Sequence, residues 1–103
     1  MELSAQSGLN TTIINKIKSI FKSYAQIEQV ILYGSRAKGN YKNGSDIDLS
    51  IKSKTLDLTA LLKIENEIDD LLLPYKVDLN LFNQLNNANL IDHINRVGLV
   101  FYP

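Results

Sequence analysis

Three aspartates and one glycine–serine pair are the residues of this chain whose types and spacing can do chemistry. Asp46 and Asp48 stand one residue apart in the apolar run Asp46–Ser53, and Asp78 lies in a later run, Tyr75–Phe82. Aspartate is a poor strand residue, so three such placements need a reason. Strand alternation sets Ile47, Leu49 and Ile51 on one face and Asp46, Asp48 and Ser50 on the other. It holds the two aspartates about 6.6 Å apart along the strand. A wetted sheet face explains any one of these aspartates taken alone. Two like charges held close raise the energy unless a cation lies between them, so the Asp46–Asp48 pair is read as metal-binding. Hard carboxylate oxygens suit Mg²⁺ or Mn²⁺. Two such ions about 3.5–4 Å apart can share a carboxylate and clamp an in-line phosphoryl displacement.

Gly34-Ser35 supplies the complementary half. It ends the apolar run "IEQVILYG" and opens a basic, glycine-containing loop with Arg36 and Lys38. A turn of this kind presents free backbone N–H groups, and glycine lets a phosphate approach closely. Ser35 adds a hydroxyl, while Arg36 and Lys38 can neutralise outer phosphates. A P-loop is excluded, because "GSRAKGNYKNGS" has Asn40 where the lysine belongs; "DIDLSIKSKTLD" fails as an EF-hand by being apolar at its turn.

Read together, "GSRAKGNYKNGSDIDLSI" and Asp78 resemble the signature of the DNA polymerase β-like nucleotidyltransferase superfamily. The nearest likeness is the minimal nucleotidyltransferase (MNT) group, antitoxins paired with HEPN-domain toxins. The resemblance runs from about Ile14 to the C-terminus. It implies that Gly34 and Ser35 hold the phosphates of ATP, with Arg36 and Lys38 beside them, and that Asp46, Asp48 and Asp78 bind two Mg²⁺ ions. Asp78 would also help to deprotonate an attacking hydroxyl. The implied reaction transfers AMP from ATP to a tyrosine of a HEPN-type partner, with pyrophosphate leaving. Two alternatives stand beside it: a non-catalytic, partner-binding antitoxin, and an adenylyltransferase for a small molecule such as an aminoglycoside.

The elements that must position these residues follow from periodicity. Asn10–Tyr24 places Ile13, Ile14, Ile17, Ile20, Phe21 and Tyr24 on one helical stripe, capped by Asn10 or Thr11. Strands are expected over Ile27–Gly34, Asp46–Ser53, Tyr75–Phe82 and "LVFYP". Leu58–Leu73 reads as a helix with Leu58, Leu61, Leu62, Ile68, Leu71 and Leu72 facing inward, capped by Thr55 or Asp57 and stopped by Pro74. Gln84–Val97 is the last helix, closed by Gly98. The order α-β-β-α-β-α-β predicts an α/β fold, a small mixed sheet with helices packed on it.

The totals bound the rest. The 103 residues make one domain, 1–103, with 45% hydrophobic and 21% charged residues. Net charge is zero and cysteine is absent. The first argues against binding to extended nucleic acid; the second excludes disulfides and cysteine-built metal centres and fits the cytoplasm. No run is apolar enough for a membrane span, and the N-terminus lacks the pattern of a signal peptide. Charge is nonetheless uneven: the loop after Gly34 is basic, whereas acids dominate from Glu65 to Asp78. His93, the single histidine, reads as a surface or packing residue, Tyr33 as core with a hydroxyl within reach of the site, Tyr41 as a solvated loop residue and Asp69–Asp70 as a solvated helix face. Larger relatives carry a second domain for base or acceptor; its lack here leads to the expectation that the acceptor arrives on another polypeptide. The apolar C-terminal strand can pair across a homo-oligomer.

Overall fold

The computed structural model describes residues 3–103. Its elements are α1 (Leu3–Ser7), α2 (Thr11–Lys22), β1 (Gln29–Tyr33), α3 (Gly34–Lys38), β2 (Ile47–Lys52), α4 (Leu58–Asp69), β3 (Val77–Leu81), α5 (Ala88–Val97) and β4 (Leu99–Tyr102), with one 3₁₀ turn at Phe82–Gln84. All the expected strands and helices are present, with shorter ends. Helices α1 and α3 are additions to the expected order. Each is five residues long, too short for an apolar period to announce it.

The sheet order is β3-β2-β1-β4. β1 pairs antiparallel with β2 and β4, while β2 and β3 run parallel. The parallel pair arises because α4 carries the chain back across one face before β3 begins, as a crossover requires. Val30, Leu32, Ile47, Leu49 and Ile51 are fully buried on that face. Ile13, Ile14, Ile17 and Phe21 of α2 and Leu61, Ile64 and Ile68 of α4 complete the same core. Side-chain oxygens cap three helices: Asn10 Oδ1 accepts from Ile13 N–H at 2.8 Å, Asp57 Oδ1 from Ala60 N–H at 2.9 Å and Asn87 Oδ1 from Leu90 N–H at 3.1 Å.

The α4 stripe differs from its sequence reading. Leu58, Leu62 and Leu72 are 59%, 51% and 87% exposed, and Ile64 takes the inward position instead. The helix stops at Asp69, four residues before the expected end, and Leu72 then adopts a left-handed backbone with φ of 54°. A run of leucines satisfies several registers of a helical stripe, so the sequence alone chose the wrong subset. Gly98 also acts differently from a left-handed cap. Its backbone is extended, and a Cβ there would collide with Ile94 O and crowd Ile31 Cγ2; glycine is needed for the close approach of α5 to β1. No described helix is long and apolar enough to cross a membrane.

Candidate active site

The polar face of the sheet gathers the predicted carboxylates by register. Asp48 lies opposite Tyr33 across the β1–β2 ladder and opposite Asp78 across the β2–β3 ladder. Neighbouring strands are about 4.8 Å apart, so Asp48 and Asp78 face outward side by side. Asp46 precedes β2 and is exposed. Burial holds the Asp48 carboxyl above the usual carboxylate range, and the charges of Asp78 and then Asp46 push it further in the same direction. His93 and Lys76 oppose that shift. Lys76 Nζ stands 3.5 Å from Asp78 Oδ1.

Gly34 follows directly on β1, so the strand delivers its backbone to the same face. Its φ is +73°, and a Cβ there would overlap Asp48 Oδ2 and lie 3.3 Å from Asp48 Cγ. Only glycine supplies both the left-handed conformation and the space for that carboxylate. Ser35 is partly exposed and Lys38 exposed on α3. The Gly34–Ser35 turn and the Asp48–Asp78 pair are therefore brought together, as the spacing of the motif led one to expect.

Arg36 is a correction. Expected beside phosphates, it is 2% exposed. Its Nη1 donates to Ser7 O at 2.8 Å and its Nε to Ser45 O at 3.1 Å. The guanidinium lies between two rings, 5.0 Å from the centroid of Tyr41 and 4.7 Å from that of Tyr75. In a five-residue helix, half a turn of rotation decides whether a side chain faces solvent or core, and the sequence carries no period to fix it. Tyr41 is likewise no solvated loop residue: it packs on Arg36 and closely against Gly8.

Sequence reasoning passed over Asn80 and His93 as members of the site, and gave Ser50 and the Tyr33 hydroxyl only as neighbours of it. Ser50 Oγ donates to Asn80 Oδ1 at 2.6 Å, and Asn80 Nδ2 donates to the Tyr33 hydroxyl at 2.7 Å. This chain lies under the carboxylates, two residues beyond Asp48 and Asp78 on the same face. The signal was the strand alternation that also found the aspartates. Burial raises the pKa of Tyr33, and the negative charge of Asp48 adds to the effect. His93, read as a packing residue, accepts a hydrogen bond from Gly34 N–H through Nε2 at 3.1 Å. Its ring meets Tyr33 edge-on, with centroids 6.1 Å apart. Nothing in the sequence separates such a histidine from a surface one.

The donor set fits a hard divalent cation: the like charges of Asp78 and Asp46 press on the half-buried Asp48 carboxylate, an arrangement a bound cation would relieve. Among the described residues, no three His, Cys, Asp or Glu are gathered closely enough to hold one ion. Asp48 and Asp78 are paired in register, and the exposed Asp46 just before β2 adds its charge at Asp48.

The fold that carries these residues is shared with known proteins. Residues 15–103 match the family described as Polymerase beta, Nucleotidyltransferase. Two relatives from Methanocaldococcus jannaschii are each named as a protein adenylyltransferase. One is 36% and the other 33% identical, both over 76 residues that cover 73% of this chain and 76% of the relative. Among solved structures, a toxin–antitoxin with AMP-PNP superposes with a TM-score of 0.70 at 23% identity, over 85% of this chain and 71% of that one. A complex of a tri-AMPylated Shewanella oneidensis HEPN toxin with its MNT antitoxin gives 0.64 at 21% identity, over 87% and 69%. At such identities the superpositions speak for the fold. With the family match reaching across most of its length, this chain belongs to the Polymerase beta, Nucleotidyltransferase family.

Proposed function

We propose that the protein is a Mg²⁺-dependent adenylyltransferase that moves AMP from ATP onto a hydroxyl of a protein partner, a tyrosine of a HEPN-type toxin, and so acts as a cytoplasmic antitoxin. The observation that carries this reading is the register match of Asp48 with Asp78 beside the left-handed Gly34. The names of the relatives and the toxin–antitoxin complexes of the same fold support it. Gly34, Ser35 and the exposed Lys38 would hold the triphosphate. Asp46, Asp48 and Asp78 would hold the ions, which neutralise phosphate charge and lower the pKa of the attacking hydroxyl. The acceptor oxygen bonds to the α-phosphorus while the bond from that phosphorus to pyrophosphate breaks. The hydroxyl proton passes to the Asp78 carboxylate.

A non-catalytic antitoxin is the second reading. It is favoured by the internal pairing of the site, where Lys76 meets Asp78 and His93 takes the Gly34 amide. Incubation with labelled ATP, Mg²⁺ and the product of the neighbouring gene separates the two. Label on the partner that disappears with Asp48→Ala supports transfer; neutralisation of the partner without label in either protein supports the second reading.

His93 yields a quantitative expectation. A single N–H cannot serve both an imidazole and a phosphate oxygen, so the incoming triphosphate must displace a hydrogen bond worth about 1 kcal/mol net. His93→Phe keeps the edge-on contact with Tyr33 and removes the acceptor. It should tighten binding of a non-hydrolysable ATP analogue about fivefold by calorimetric titration, on that same figure. Weaker binding would mean that the imidazole helps to hold the nucleotide.

A further inference from the structure

β3 is an edge of the sheet, and its outer side has no backbone partner among the described residues. Ile47 N–H donates to Lys76 O at 2.9 Å, so alternation turns the N–H and C=O of Val77 and Leu79 outward. Natural edges are usually blunted by proline, bulges or charge; the strand Val-Asp-Leu-Asn-Leu has no proline and an unbroken register, and its one charge, Asp78, lies on the active-site face. A cleft of 540 Å³ runs along this edge, lined by Glu65 and Asp69 of α4, Leu72, and Lys76 and Asp78. Three acids against one lysine make it a place for a basic occupant. Leu72 is 87% exposed and held at φ of 54°. A leucine in that conformation is strained, and its apolar side chain covers nothing in the chain itself. Asp78 belongs to both the cleft and the carboxylate pair, so the edge is continuous with the active site.

We propose that β3 and this cleft dock the acceptor protein as an added strand, an extended segment carrying the hydroxyl residue between basic neighbours. The proposal rests on the reading of Asp78 as a reacting carboxylate. A residue of the added strand opposite Asp78 projects onto the active-site face, about 4.8 Å from β3. The residues on either side of it project onto the opposite face, where α4 packs. There Glu65 and Asp69 meet lysine or arginine, and Leu72 meets an apolar side chain further along. Main-chain pairing supplies affinity and the alternating side chains supply specificity.

The probe is the synthetic peptide Ser-Leu-Thr-Lys-Tyr-Lys-Thr-Leu-Ser, blocked at both ends, with the full chain. Binding is followed by fluorescence anisotropy, nucleotide binding by titration with an ATP analogue, and transfer by label on the peptide. Exchange of both lysines for glutamate should weaken binding about tenfold, or 1.4 kcal/mol. N-methylation of alternate backbone amides should do at least as much. Glu65→Lys with Asp69→Lys should reverse the preference between the two peptides. Leu72→Asn should weaken peptide binding several-fold while the melting temperature holds or rises, since asparagine tolerates φ near 54°. A purely structural Leu72 would lower the melting temperature instead. Equal binding of all peptides by a chain that still binds nucleotide overturns the docking site and leaves the proposed function standing. Selective docking with no label passing in the presence of bound nucleotide upholds the docking site and overturns the reading of Asp78. A dimer in sedimentation that Leu72→Asn disperses assigns the edge to a second copy of this chain and also overturns the proposal.

Discussion

Asp48→Asn is expected to lower nucleotidyl transfer by about a thousandfold or more, since it removes charge where phosphates and cations must meet. Three features concentrate the effect on this residue. Asp48 is central in the register, opposite both Tyr33 and Asp78. Its carboxylate occupies the space that glycine leaves open at position 34. The carboxamide is nearly isosteric, so the neighbouring packing is kept while the charge is lost. The rate of label transfer at saturating ATP and Mg²⁺ measures the loss. Activity within tenfold of the parent would remove Asp48 from the reaction.

The same substitution should stabilise the metal-free fold. Burial together with the charges of Asp78 and Asp46 raises the pKa of Asp48 in the folded chain. A raised carboxylate binds more protons folded than unfolded, so its contribution favours folding at low pH. That contribution is lost as pH climbs from the unfolded value of about 3.9 through the raised folded value. At neutral pH the ionised Asp48 is thus a source of instability, and Asp48→Asn removes it. In chelator, the melting temperature of Asp48→Asn should exceed that of the parent at pH 7, and the two should converge as pH falls below 4. Saturating Mg²⁺ should reverse the order at pH 7, because the ion binds the intact carboxylates better and stabilises the state it binds. A site that is destabilising when empty and inactive when repaired is the expected signature of a carboxylate kept for function.

Legibility from sequence followed the length of the local pattern. Ile13, Ile14, Ile17 and Phe21 repeat over enough turns to fix the inner face of α2. The alternation in Ile47–Lys52 and Val77–Leu81 fixed which side the aspartates take. The Gly-Ser and Asp-x-Asp motif picked out Gly34 and Asp48, which the fold sets side by side. Contacts that join distant segments left no such mark. The bond from Gly34 to His93 spans 59 positions and that from Arg36 to Ser7 spans 29, and neither residue type announces its partner. On α4, too many leucines fit the stripe, so burial was assigned to Leu58 and Leu72 where the fold exposes them. That exposure carries information, since a leucine left in water on a strained backbone is easier to explain by what it meets than by what it holds.

Arg36→Met is expected to destabilise the protein by about 3 kcal/mol, lowering its melting temperature by roughly 15 °C. The guanidinium is a buried strap: Ser7 ends α1, Ser45 precedes β2 and Tyr75 precedes β3, and one side chain bonds to the first two while resting on the third. Methionine keeps the length of the stem and loses both donors. The buried Ser7 carbonyl then lacks its partner at about 1–3 kcal/mol, and the half-buried Ser45 carbonyl loses its own at the low end of that range. The flanking rings lose a cation worth about 1–2 kcal/mol more, and relief of the buried charge returns part of the total. Lys38→Ala, on the same short helix but exposed, should shift stability by less than about 0.5 kcal/mol. The pair of variants also decides the role first read from the basic loop. Were Arg36 a phosphate ligand, Arg36→Met would melt near the parent temperature and bind nucleotide poorly. As a strap it does the reverse: below its lowered midpoint the folded fraction binds nucleotide with near-parental affinity, and only the population that can do so shrinks.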